Sequence, residues 1–186
     1  HGFSLPSKTE SDFINIVTAK DCTLVDDQGK QYLDAMASLW LCQIGHGNSK
    51  VINAIKDQLD QLQTYNTFDP FTNSPATQAA EAIRRVSPHP DGRVFLGCSG
   101  SEAVDSALKL SRMFHQRRGD SDRQIIVRRN SGYHGVNVGG TSVQGIEPNR
   151  VGWGELLPHV VEVPNDDIEE AATLFAEHGP RIAAVI

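Results

Sequence analysis

Two short runs in this 186-residue chain carry groups able to hold an anion beside a flat ring. The first is Ser99-Gly100-Ser101, set between a strand-like stretch, residues 93–98, and a long helical pattern with almost no loop. The carboxyl end of a parallel strand opens on the crevice where ligands of α/β sheets bind. The first N–H groups of the following helix have no partner inside the helix. Gly100 lets a ligand approach the backbone closely, and Ser99 and Ser101 add hydroxyl donors. Together they make an anion pocket, whose usual occupant is a phosphate. The same residues also read as a plain capped helix, with Ser99 as the cap and Glu102 closing the first turn. Neither a P-loop, G-x-x-x-x-G-K-S/T, nor a G-x-G-x-x-G fingerprint is present.

The second run is Tyr133-His134-Gly135, just past the predicted strand 123–129. If that strand and 93–98 lie parallel, both runs reach the same edge of the sheet. An anion pocket beside an aromatic ring suits a phosphorylated flat heterocycle stacked on Tyr133. The alternative is an ordinary loop aromatic. His134 reads as a hydrogen-bonded loop residue rather than a base, and Gly45-His46-Gly47 as a turn.

The elements that must position these groups follow from periodicity. Residues 1–12 are polar and irregular, and 22–36 read as a hairpin about the turn Asp26-Asp27-Gln28-Gly29. Residues 37–48 are apolar and end in the Gly-His-Gly turn. Residues 49–63 place Val51, Ile52, Ile55, Leu59 and Leu62 on one helical face, with Ser49 as the N-cap. Residues 74–86 form a second helix, with Ser74 as cap and Pro75 at its first position. Residues 93–98 predict a buried strand. A helix over 101–118 carries Val104, Ala107, Leu108 and Phe114 near one stripe. Strands are expected at 123–129, 158–164 and 181–186, and an acidic-started helix at 166–179. This alternation predicts an α/β fold, a mainly parallel sheet with helices on both faces. A strand running to Ile186 needs neighbours on both sides, so the chain is expected to be the N-terminal part of a longer protein.

Bulk properties narrow the partners. A net charge of −6 argues against nucleic acid, which needs a basic face. The cluster Arg117, Arg118, Arg123, Arg128 and Arg129 is interrupted by Asp120 and Asp122 and reads as a solvated helix end and strand edge. Three widely spaced cysteines, Cys22, Cys42 and Cys98, fit a reducing compartment rather than a disulfide scaffold. The histidines show no metal-ligand spacing, so no metal site is expected. With neither a signal peptide nor a membrane-length apolar run, the chain is expected to be soluble and cytoplasmic.

The stretches "SGSEAVDSALKLSR", "YHG", "LWLCQIGHG" and "LVDDQGKQYLDAM" stand in an order and spacing that resembles the class III (omega) aminotransferases, amine:pyruvate-like members included. The resemblance covers nearly the whole chain. It implies the type I fold of pyridoxal-phosphate-dependent transferases, with residues 1–48 as an N-terminal part of the small domain and 49–186 as the first part of the large domain. It implies pyridoxal 5'-phosphate as cofactor, held by Ser99, Gly100 and Ser101 at the phosphate and by Tyr133, His134 and Gly135 at the ring, with Trp40 lining the substrate pocket. It also implies small-molecule amine and keto-acid substrates and a homodimer, with 37–73 facing the partner subunit or the mouth of the site. The family's catalytic lysine and the aspartate paired with the pyridine nitrogen are expected beyond residue 186. Cys98 stands where the family commonly has asparagine; a cysteine there is a small apolar filler. An aminomutase or decarboxylase of the same family, or a non-catalytic binding module of the same fold, stays open as an alternative.

Overall fold

The computed structural model describes residues 5–186; residues 1–4, read above as part of an irregular segment, lie outside them. Two compact units part between Thr77 and Gln78.

The first unit is built on an antiparallel meander, β1 (Ile16–Lys20), β2 (Thr23–Asp26) and β3 (Gln31–Leu33), in that order. The expected hairpin is its β2–β3 half. Strand β1, a run rich in β-branched residues, joins it unanticipated. The hairpin turn is organised by Asp26, whose carboxylate accepts from the Gln28 N–H at 3.0 Å, the Lys30 N–H at 2.8 Å and the Tyr32 hydroxyl at 2.8 Å. The Tyr32 bond first, and the two backbone donors after it, hold the Asp26 carboxyl below its ordinary value. A single helical turn, α1 (Ala37–Trp40), precedes helix α2 (Ser49–Gln61). The cap of α2 is Asn48, not Ser49: its side chain accepts from the Lys50 and Val51 N–H groups, which makes Ser49 the first helical residue. The anticipated apolar face of α2 is present but uncovered, with Val51 to Leu62 between 40% and 54% exposed. Helix α3 (Ser74–Val86), which begins in the first unit and runs into the second, is likewise capped one residue earlier than expected. Asn73 accepts from the Ala76 N–H at 3.0 Å, so Ser74 opens the helix and Pro75 follows it.

The second unit is a parallel sheet in the order β5 (Val160–Val163), β4 (Ile125–Arg129), β6 (Ile182–Val185), flanked by α4 (Gly100–Arg117), α5 (Val138–Val143) and α6 (Ile168–His178). Alternate residues of β4 face opposite layers, as the strand period requires. Ile125 and Val127 pack with Val163, Ile182 and Leu174 of α6. Ile126 packs with Leu108 of α4 and Val143 of α5. Burying each of these aliphatic side chains stabilises the sheet by roughly 1.5–3 kcal/mol. Helices therefore cover both faces of the sheet.

Three expectations change here. Residues 93–98 form no strand among the described residues, and Phe95 and Leu96 are 75% and 48% exposed. An apolar run becomes a strand only with a neighbour to complete its ladder, and neither edge of the β5-β4-β6 sheet pairs with it. The expected stripe of α4 splits: Val104 and Leu108 turn to the core, while Ala107 and Phe114 are exposed. At 100° per residue the latter two stand about 60–80° from Val104 and about 100–120° from Leu108 around the helix. Finally, Arg128 is buried rather than solvated. It pairs across the parallel register with Glu162 at 2.6 Å and donates to the Gln144 carbonyl.

Candidate functional site

The N-terminus of α4 forms as a capped helix. The Ser99 hydroxyl accepts from the Glu102 N–H at 3.1 Å, the Ser99 carbonyl from the Ala103 N–H at 3.1 Å, and the Glu102 carboxylate folds back to accept from the Cys98 N–H at 2.8 Å. The cap does not use up the helix end. The N–H groups of Gly100 and Ser101 have no partner among the described residues, and a Cβ at Gly100 would meet nothing within 4 Å. Cap and anion pocket are thus compatible readings of one turn: two unpaired donors stand at the positive end of an 18-residue helix, with open space beside Gly100.

The Tyr133-His134-Gly135 run is held against this turn. The Ser101 hydroxyl accepts from the Val136 N–H at 3.0 Å, which leaves its own proton free to donate. Gly135, at φ +100°, lies so close that a Cβ there would fall 2.5 Å from Ser101 Oγ. One turn along α4, Asp105 repeats the device: its Oδ1 accepts from the Gly140 N–H at 3.0 Å and caps α5, whose own N-cap residue, Asn137, makes no side-chain cap. Ser101 and Asp105 are four residues apart and share a face. Together they clasp the backbone of 135–140. Sequence reading missed Asp105 and α5; the i, i+4 spacing of a hydroxyl and a carboxylate, facing a glycine pair in the next segment, was the available signal.

Tyr133 is about half exposed. His134 is half-buried, and its ring makes no hydrogen bond among the described residues, contrary to expectation. Burial first, and the nearby Arg129 second, hold its imidazole below the ordinary value, so it is neutral at neutral pH. A neutral ring at this position adds no charge to an anion site.

Trp40 belongs to the other unit. It ends a turn in which Ala37, Ser38, Leu39 and Trp40 all have positive φ, from 48° to 70°. Left-handed backbone costs a non-glycine residue about 1–2 kcal/mol, so such a run needs external support. The support is Asp34. Its carboxylate accepts from the Ser38 N–H at 2.9 and 3.1 Å, the Met36 N–H at 3.3 Å and His46 Nε2 at 2.7 Å. The His46 bond, then the Ser38 N–H, hold the Asp34 carboxyl below its ordinary range. Gly45-His46-Gly47 is a turn as expected, with both glycines at positive φ, and it also supplies this partner. The indole of Trp40 is 69% exposed.

No His, Cys, Asp and Glu cluster among the described residues could hold a metal ion, and no described helix is long and apolar enough to cross a membrane. The profile of the family described as Aminotransferase class-III matches residues 5–186. A beta-alanine–pyruvate aminotransferase of Pseudomonas aeruginosa is 34% identical over 165 residues, 86% of this chain and 37% of that protein. An omega-aminotransferase of Caulobacter vibrioides is 36% identical over 74% of this chain and 31% of its own length. An amine transaminase from an uncultivated Pseudomonas species, solved in its PLP-bound form, superposes with a TM-score of 0.90 at 28% identity. That match covers all of this chain and 46% of the solved one, and it carries the type I fold expected from the sequence. The chain thus spans between about a third and just under half of the length of these proteins. With the α4 turn, the loop clasped to it and a family match over residues 5–186 in agreement, the chain belongs to the class-III aminotransferase family.

Proposed function

We propose that this chain is part of a pyridoxal 5'-phosphate-dependent transaminase that moves an amino group from an amine or amino acid to a keto acid such as pyruvate. The observation that carries the reading is the clasp at α4: two unpaired N–H groups at Gly100 and Ser101, with the Tyr133 loop tied to the same turn through Ser101. The residues fit the cofactor. The free donors and the Ser101 hydroxyl would hold its phosphate, Gly100 would let it approach, and Tyr133, beside the neutral His134, would lie against its ring. Gly135 serves by letting that loop reach Ser101. When bound, the cofactor supplies the electron sink that lets an amino group and its proton change carriers. This chain's own share is to grip, orient and shape, with Trp40 as a wall of the donor pocket. Names of the similar curated proteins that specify pyruvate support the acceptor.

The working unit is proposed to be a homodimer. The apolar residues Leu39, Trp40, Leu41 and Ile44, all at least 60% exposed, support a covered surface in the segment 37–73. Free cysteines at 22, 42 and 98 support a reducing, cytoplasmic setting.

The test is Gly100→Asp in the full-length protein. A side chain at 100 meets open space, and an acidic group at the first helical position favours the helix, so folding is retained. The carboxylate would occupy and repel the phosphate. The wild type is expected to show a visible absorption band that bleaches with borohydride and to form alanine from pyruvate. The variant is expected to bind pyridoxal phosphate at least about a hundredfold more weakly. Undiminished binding would overturn the assignment.

A further inference from the structure

We propose that Asp34 and His46 form a positioning pair that sets the direction of Trp40 and, through it, the size of amine donor admitted. The selectivity half of this inference rests on the reading of Trp40 as a pocket wall; the positioning half does not.

The carboxylate of Asp34 is a hub for the whole turn. Both oxygens are engaged by the Ser38 N–H, Oδ1 also by the Met36 N–H, and Oδ2 by His46. Its side chain is 6% exposed and that of His46 20% exposed, so the pair is sheltered from water, where a charge-assisted bond of 2.7 Å has its greatest effect. His46 is anchored in turn. It exchanges two backbone hydrogen bonds with Asp21, of 2.8 and 2.9 Å, at the corner between β1 and β2. Gly45 makes that approach feasible, since a Cβ there would already lie 3.2 Å from the Asp21 carbonyl. A continuous set of contacts therefore runs from the meander through Asp21, His46 and Asp34 to Ser38.

What the pair holds is a conformation that the residues would not keep unaided. Four successive side-chain-bearing residues stand at left-handed φ, and an N–H inside that run points at the Asp34 carboxylate. Trp40 closes the run and is 69% exposed, so little of the indole is left for neighbours to aim by packing. Among the described residues, the one side-chain bond to Trp40 is from Gln43 Nε2 to its backbone carbonyl, at 3.0 Å. The direction of the indole is thus set by the backbone, which is held by the turn's own hydrogen bonds, from the Trp40 N–H to the Met36 carbonyl at 2.8 Å and from the Leu41 N–H to the Ala37 carbonyl at 2.9 Å, and by the pair at Ser38 and Met36. Without the hub, the turn would relax toward right-handed or extended backbone and the indole would leave its present direction.

The experiment uses the full-length holoenzyme labelled with 5-fluorotryptophan, with the residue-40 fluorine resonance assigned by its loss in Trp40→Phe. Asp34→Ala and His46→Ala are each expected to move or broaden that resonance. Each should also change the ratio of kcat/KM for a bulky over a small primary amine by about tenfold, through KM. Affinity for pyridoxal phosphate should stay within about twofold, because the α4 turn is untouched. His46→Gln, which keeps an N–H donor, should restore most of the wild-type resonance, and the double variant should differ little from either single one. A residue-40 resonance identical to wild type in folded Asp34→Ala or His46→Ala overturns the proposal. If Asp34→Ala does not fold, the comparison of His46→Ala with His46→Gln decides in the same way. A moved resonance with an unmoved donor ratio, matched by an unmoved ratio in Trp40→Phe, removes the pocket reading and leaves the positioning role standing.

Discussion

His134 sits between two residues that face the candidate site and yet carries no hydrogen bond of its own among the described residues. Its lowered pKa has a thermodynamic consequence. The unfolded chain binds a proton at the ordinary value of 6.5, before the folded chain does, so stability rises with pH across the interval between the lowered value and 6.5. Acidification from pH 7 to about pH 5 should therefore lower the urea midpoint more for the wild type than for His134→Gln, which has no proton to take up. Equal losses in the two proteins would mean that the imidazole is not held neutral. At this scale the local chemistry of the site was legible and the long-range chemistry was not. Ser99 capping Glu102 is a contact across three residues that any serine before a helix advertises. Ser101 receiving the Val136 N–H spans thirty-five positions, and nothing in either residue type announces it. The same holds for the Asp34–His46 bond: "GHG" was legible as a turn because glycine is, whereas its histidine acquired a partner only through tertiary placement.

At the scale of elements, α4 shows how a helix can be positioned by polar contacts as much as by its apolar stripe. Leu108 alone of its residues is buried. The helix is fixed at one end by Ser101 and Asp105, and at the other by Arg112, which donates to the Gln124 and Pro158 carbonyls, and by His115, whose Nε2 bonds the Ala183 carbonyl. The strands at 123–129, 158–164 and 181–186 were readable because a strand buried on both faces is a near-continuous aliphatic run. Residues 93–98 have the same composition without a paired neighbour, which composition does not encode. Helix α5 was missed because all six of its residues, Val138 to Val143, are small or β-branched, a poor helix sequence redeemed by the burial of Gly139 to Val143 and by a cap borrowed from another helix. That cap is separable from charge. Asp105→Asn keeps an acceptor oxygen and should be nearly neutral, whereas Asp105→Ala leaves the Gly140 N–H unpaired and should cost about 1–2 kcal/mol. Amide exchange over 138–143 should accelerate in the alanine variant and hold in the asparagine one. Equal acceleration in both would assign the effect to the lost charge instead.

At the scale of the whole molecule, surface area is the telling quantity. The chain exposes 14337 Å² for its 20.3 kDa. A compact monomer of that mass exposes about 8,800 Å², and two separate globules of the sizes of its units roughly 10,600 Å². The excess is several thousand Å², the magnitude found in obligate interfaces. It is also apolar where it can be traced: Phe95, Leu110, Met113 and Phe114, exposed by 43–75%, lie in or just before α4, and Val51, Ile52, Ile55 and Leu59 line α2. Surface of this kind is stable only when covered. Residues 1–186 expressed alone should therefore bind the dye ANS strongly. They should also unfold in urea with a slope well below that of an ordinary domain of equal length, because the slope follows the area newly exposed and much of this area is exposed already. The full-length protein should show neither property. If the isolated segment were instead dye-silent with a normal slope, the apolar faces of α2 and α4 would each be covered in the segment itself and would need no further surface to cover them.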